Sequence, residues 1–459
     1  MNGEIWESFF MVKKTILISL FSIVLTFNLF ASPIVSIKTQ ADLDNYIKTT
    51  DFNGVILVKR QNKILYEKAF GYRNFETKEE LKLTDKFQIG SLTKQFISAS
   101  LLQLVEEGKI KLEDSVAEFL PDLNLDKSIT LRQILSHTAG IANYTDQKNF
   151  WQNLDYEKNN SLDDLLSFIK NLRPDFSPGT KWNYSNSGYI IAGKLLEVLS
   201  GKSYSDYISK QFLSPLGMND SGVEDNFEKI SDVLGYEVRE VDGKVTTEAV
   251  TGLNLTWALS AGDMYSTVYD LSKWVDIYHR NPFLSDASII EMQNPILNDY
   301  GLGIISSKYL GETMISHDGH TIGFGSSLVH LKESKLTVVS LNNNDGDRAG
   351  VSSLALLYFK TGNAFGFKQK ELSIDQKKLS EYVGQYSNGK MIVEVYLKNN
   401  ALKIFVKGQR EFSSKYVDED SFNIENFAGE EFLRDENQNI SGLRHYQNGQ
   451  TFDYKKLAE

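Results

Sequence analysis

Cysteine is absent from the 459-residue chain. That excludes disulfides, thiolate catalysis and Cys-ligated metal sites. Histidine is scarce, at six residues. None stands in H-E-x-x-H or another metal spacing, so no metal is expected. There is no basic tail and no Lys/Arg block, and the net charge is -11. Nucleic acid is therefore not an expected partner. Internal repeats and low-complexity tracts are lacking. Beyond the N-terminus, no stretch is long and apolar enough to cross a membrane.

What remains is a globular composition. Hydrophobic residues make up 41% and charged residues 24% of a chain long enough for a large core and more than one domain. Residues 1–32 read as an export leader with an upstream extension. Lys13-Lys14 precedes an apolar run, Thr15 to Phe30, and then Ala31-Ser32-Pro33. Met1 to Phe10 is acidic, which makes Met11 an alternative start. Leu29 is large for the position it holds before a cleavage at Ala31. Without Cys, lipoprotein anchoring is excluded. The expectation is an exported protein, periplasmic or secreted, with no stable membrane span once the leader is gone. A retained anchor is the alternative.

The body divides at about Gly366. Residues 33–366 form the larger domain, 367–378 a polar linker and 379–459 a small all-β domain. Asp42 to Tyr46 reads as a helix. Gly54 to Val58 and Ile64 to Phe70 read as strands joined by a turn. Asp270 to Tyr278 is a further helix, and the stretches around Leu213 and Trp257 are loops. Tyr300 to Ile304, Thr313 to Gly319, Gly325 to Leu331 and Leu336 to Leu341 read as successive strands of an antiparallel sheet. In the last domain, Ile392 to Leu397, Leu402 to Val406, Glu411 to Tyr416, Glu431 to Arg434 and Ser441 to Tyr446 alternate apolar and polar residues. They suggest a barrel or meander.

Chemistry concentrates at Ile89-Gly90-Ser91-Leu92-Thr93-Lys94. Gly90 ends an extended approach, and Ser91 opens an apolar helix that closes at Gly108. Ser91 and Lys94 are three apart and share one face of its first turn. A serine beside a lysine at a buried helix start suggests nucleophilic catalysis. S-x-x-K is a weak pattern by itself, and it recurs at Ser167 and Ser387. Two other stretches matter: a loop holding Tyr184-Ser185-Asn186 before an apolar helix, and His317-Asp318-Gly319-His320 ending a late strand. His137, at the end of a capped helix, reads as a packing and hydrogen-bonding residue. His279, His330 and His445 read as ordinary surface or strand residues.

Taken in this order, Ser91-x-x-Lys94, Tyr184-x-Asn186 and His317-x-Gly319, with Leu135-Ser136-His137-Thr138-Ala139-Gly140-Ile141 and Pro178-Gly179-Thr180, resemble the serine β-lactamase-like family. The resemblance is to the branch of class C β-lactamases, esterases and D-amino-acid-specific peptidases. The C-terminal domain resembles the lipocalin-like appendage of some members. The resemblance implies an α+β fold: an antiparallel sheet flanked by helices with an inserted all-helical region, plus a small all-β barrel-like domain. It implies an acyl-enzyme on Ser91, with Lys94 and Tyr184 sharing the proton traffic and either one serving as base. It places Asn186, His317, Gly319 and His320 in substrate binding, with the backbone N–H groups of Ser91 and His320 as oxyanion donors. No metal or organic cofactor is needed. One departure stands out: His317 occupies the place where β-lactamases usually carry Lys. A mostly neutral His, followed by Asp318, disfavours a substrate carboxylate. Ester, amide or D-amino-acid peptide bonds are then favoured over β-lactams. A binding or sensing module acylated without turnover is the alternative. The partner is a small-molecule or peptide substrate, and the C-terminal domain is a lid or an oligomerisation surface.

Overall fold

The computed structural model describes residues 34–457, apart from 154–158, 224–230, 232, 242–243, 252–253, 345–347, 368–371, 390, 399, 407–410, 425–427 and 448–449. The leader lies outside the described residues. A six-stranded antiparallel sheet forms the centre of the larger domain. Its spatial order is Ile305–Tyr309, Glu312–Thr321, Phe324–Leu331, Leu336–Asn342, Gly54–Arg60 and Lys63–Phe70. Both faces are covered, so the inner strands are buried along most of their length. The period-two alternation sorts their side chains. Val55, Leu57, Leu328, Val339 and Leu341 point into the core that holds the serine helix. Ile56, Val58, Val329, Leu331 and Val338 pack instead against Leu43, Ile47, Val351 and Leu356 from two helices, Gln40–Ile47 and Arg348–Thr361.

The serine helix, Thr93–Glu106, is buried on nearly every side. Several of its polar side chains are bonded internally. Gln95 Oε1 accepts from Trp274 Nε1 at 2.8 Å, and Ser100 Oγ donates to Phe96 O at 2.8 Å. The helix packs on a second apolar helix, Asn186–Ser200, which ends at Gly201 in the left-handed conformation.

Several expectations need correction. Tyr300 to Ile304 is not a strand. Gly301 N–H donates to Ile304 O (2.9 Å) and Leu302 N–H to Met292 O (3.0 Å), while Gly303, at φ +79°, lies against the serine helix. These two glycines let the backbone approach where a ladder partner would otherwise sit. The edge strand is Ile305–Tyr309. The stretch around Leu213 is helical, with a π turn over Ser209–Leu213. A hairpin, Gly235–Val241 with Lys244–Val250, was not anticipated, nor was the helix Arg348–Thr361. His330 is buried on its strand, with Nε2 2.8 Å from His279 Nε2.

Strand Ala364–Phe367 pairs with Ile34–Ile37, so regular structure of the larger domain runs one residue past 366. Within 367–378, a short helix starts at Gln376. The C-terminal domain is a closed barrel of eight strands from Gly384–Ser387 to Gln450–Lys456, with its own core around Tyr382, Tyr386, Phe422, Phe432 and Leu443. Three of the eight strands, Gly384–Ser387, Ser421–Ile424 and Gln450–Lys456, go beyond the five read from sequence.

Candidate active site

Ser91 does not open the α-helix directly. It sits in a 3-10 turn, Gly90–Leu92, that runs into the helix at Thr93. Gly90 has φ +50°, and a Cβ there would lie 2.6 Å from His320 N. Gly319 faces Ile89: a Cβ on it would come within 1.9 Å of Ile89 O. Ser326 Oγ donates to that same oxygen at 2.8 Å, and Thr321 Oγ1 donates to Gln88 Oε1 at 2.8 Å. Two glycines and two hydroxyls thus hold the serine turn against the strand that carries His317 to His320.

Lys94 points back from the first helical turn. Its Nζ is 2.9 Å from Ser91 Oγ, 2.8 Å from Asn186 Oδ1 and 2.7 Å from Ala261 O. The side chain is fully buried and those three partners are neutral. Burial therefore pushes the amine well below the usual lysine range. Tyr184 Oη donates to Ser91 Oγ at 2.7 Å, and the Tyr184 ring centroid lies 4.9 Å from Lys94 Nζ. Burial raises the phenol, and the hydrogen bond to Ser91 offsets only part of that rise. Tyr184 is accordingly a neutral donor at pH 7.

Asn186 is the first residue of its helix rather than a loop residue. Its Oδ1 accepts from Lys94, its Nδ2 donates to Thr145 Oγ1 at 3.0 Å, and its backbone N–H donates to Asn143 Oδ1 at 3.0 Å. The side-chain amide is thus engaged with protein on both ends. His317 is buried, with Nε2 2.8 Å from Tyr300 Oη and Nδ1 2.6 Å from Asp318 O. The carbonyl accepts only, so Nδ1 carries the proton and the phenol donates to Nε2. Desolvation, then Lys94, lowers His317 to about 4. His320 has its backbone beside Gly90 and its side chain exposed.

Ser91, Lys94, Tyr184 and Asn186 converge within hydrogen-bond reach, and His317 joins through rings: its centroid is 6.4 Å from that of Tyr184. Sequence reasoning missed Tyr300, whose ring lies 5.7 Å from that of His317. No motif marks it; the flanking glycines were the available signal. Thr145 and the Ala261 carbonyl were also missed, and a backbone acceptor leaves no trace in residue type. Among the described residues, no cluster of His, Asp and Glu fits a metal ion.

This fold and this constellation define a serine hydrolase of the β-lactamase fold. A family model described as Beta-lactamase matches residues 40–361, and the chain belongs to that family. It is similar to Penicillin-binding protein 4* of Bacillus subtilis, with 27% identity over 78% of this chain and 84% of that protein. Protein flp of Staphylococcus aureus is 26% identical over 63% of this chain, which spans 59% of that protein's length. The octameric penicillin-binding protein homologue from Pyrococcus abyssi superposes with TM-score 0.65 at 24% identity, covering 91% of this chain and all of that one. A D-stereospecific amidohydrolase from Streptomyces sp. gives TM-score 0.60 at 26% identity, covering 68% of this chain and 96% of that one.

Proposed function

We propose that this protein is an exported hydrolase that opens ester or amide bonds, including those of D-amino-acid peptides, through an acyl-enzyme on Ser91. The observation that carries the reading is the set of partners around Lys94 Nζ. A neutral amine has two N–H donors and one lone pair. Asn186 Oδ1 and Ala261 O take the two donors, which leaves the lone pair for the Ser91 hydroxyl. In acylation, Ser91 passes its proton to Lys94 while Oγ attacks the carbonyl carbon. Tyr184, protonated and already bonded to Oγ, gives its proton to the leaving group, and the Lys94 ammonium restores it. A water then repeats the sequence in reverse to free Ser91. By family analogy, the N–H groups of Ser91 and His320 receive the oxyanion.

The neutral state of His317 supports substrates without an obligatory carboxylate, and the likeness to a D-stereospecific amidohydrolase points the same way. The sequence alone supports export. The Pyrococcus abyssi homologue is octameric, and assembly through the C-terminal barrel is part of the same proposal. Intact mass after treatment with a fluorophosphonate tests the core claim. One adduct on wild type and none on Ser91→Ala is expected; no adduct on either overturns it. Sustained release from p-nitrophenyl acetate or D-phenylalanine amide is expected next. A single stoichiometric burst would favour an acylated sensor.

A further inference from the structure

Among the described residues, the loop that delivers Tyr184 carries no helix or strand from Asp175 to Ser185. Its order must come from hydrogen bonds made elsewhere, and residues 137–140 supply several of them. Asp175 N–H donates to Gly140 O (2.9 Å), Gly179 N–H to Thr138 O (2.8 Å) and Asn183 N–H to His137 O (3.1 Å). A further bond is made by a side chain: Ser185 N–H donates to His137 Nδ1 at 3.1 Å. His137 therefore holds the residue before Tyr184 with its carbonyl and the residue after it with its ring. The same ring packs on Tyr184 itself, centroid to centroid 4.2 Å at 38°, and its other ring neighbours include Tyr300 at 4.7 Å.

This arrangement is held at a cost. His137 has φ +61°, a left-handed conformation that L side chains rarely adopt. Because Nδ1 accepts, the proton is on Nε2, and that buried atom has no partner among the described residues. Unfavourable conformations persist where the surroundings impose them, and they gather at functional sites. Simple packing would not need a ring acceptor aimed at one backbone N–H.

We propose that His137 is a positioning residue for the catalytic phenol. It fixes Tyr184 Oη on Ser91 Oγ by gripping both neighbours of Tyr184 and bearing on its ring. This rests on the serine-hydrolase reading and extends it to a residue that touches neither substrate nor nucleophile.

Two substitutions separate the contributions. Asparagine tolerates the left-handed conformation, and its Oδ1 stands where Nδ1 stood. His137→Phe keeps a ring and removes the acceptor. The rate of Ser91 phosphonylation and kcat and KM on p-nitrophenyl acetate would be measured for both, in the wild-type and Tyr184→Phe backgrounds, with thermal midpoints alongside. Leaving a buried N–H unpaired should lower kcat of His137→Phe roughly 10- to 100-fold, with KM nearly unchanged. His137→Asn should retain most of the rate. In the Tyr184→Phe background, His137→Phe should cost almost nothing further, because its effect passes through the missing hydroxyl. Multiplicative losses in the double variant would overturn the proposal, as would equal losses in His137→Asn and His137→Phe that track their thermal midpoints. If wild type itself is not phosphonylated, the hydrolase reading fails and takes this inference with it. If wild type and His137→Phe react equally fast, only the positioning role fails.

Discussion

Lys94 Nζ and the backbone oxygen of Ala261 are 2.7 Å apart, and that bond fixes how the lysine can act. In the proposed neutral amine, this oxygen and Asn186 Oδ1 take both N–H groups and leave the lone pair to Ser91. A cation at this position would serve poorly as a base. Lys94→Arg keeps a charge that cannot be removed at ordinary pH, and Lys94→Met removes the nitrogen. Both should lower kcat/KM about 1,000-fold or more. Retention of a tenth of wild-type activity by Lys94→Arg would show that charge, not proton acceptance, is what matters. In wild type, activity should fall as pH drops through the Lys94 pKa, which lies well below 10.5. His317, at about 4, should add no inflection above about pH 5. A pH–rate profile checks both.

Tyr184→Phe removes the donor to Ser91 Oγ and the acid for the leaving group. A loss of about 100- to 10,000-fold in kcat is expected, with KM little changed. Burial raises the phenol, so wild type should keep its activity up to about pH 10. An alkaline decline near neutrality that disappears in Tyr184→Phe would mean that the phenolate forms early, contrary to the geometry.

The nucleophile turn was legible because its signal is local. Gly90, Ser91 and Lys94 sit within five residues, and the helix behind them is apolar. Tyr184 and Asn186 were found through the turn and helix that flank them. Tyr300 was not, because its neighbours are set by long-range packing of a glycine-bearing stretch, which local alternation mimics as a strand. His137 was noticed as a packing and hydrogen-bonding residue. What its ring accepts from depends on a loop 48 residues away. In the barrel, Ser421–Ile424 is four residues long and buried throughout, so it shows no alternation. Gly384–Ser387 is as short and is mostly polar. Barrel closure, not local pattern, makes them strands.

Gly319 should not tolerate even a methyl group. A Cβ would lie 1.9 Å from Ile89 O and 2.4 Å from Ser326 Oγ, so either the strand or the serine turn must move. Gly319→Ala should destabilise the protein by about 2 kcal/mol and lose most activity. Gly311→Ala, at an open turn with φ +80° and nothing near its Cβ, controls for backbone strain alone. Equal activity in the two variants, read with p-nitrophenyl acetate and thermal midpoints, would show that the close approach is not required.

Asp263 lies two residues beyond the carbonyl that holds Lys94, and it is almost fully buried. One carboxylate oxygen accepts from Tyr204 Oη, and Oδ1 has no partner among the described residues. Desolvation raises the acid from 3.8 to about 7, and the Tyr204 hydrogen bond pulls against that rise. Between those values the folded protein keeps a proton that the unfolded chain releases, so stability falls as pH rises through the window and levels off above it. Asp263→Asn removes the buried charge and keeps an acceptor for Tyr204. It should raise stability at pH 8 by about 2 kcal/mol and change little at pH 4 (approximately the unfolded value). Denaturant midpoints of the two proteins at both pH values decide it. A gain of equal size at pH 4 would mean that packing, not ionisation, separates the two side chains.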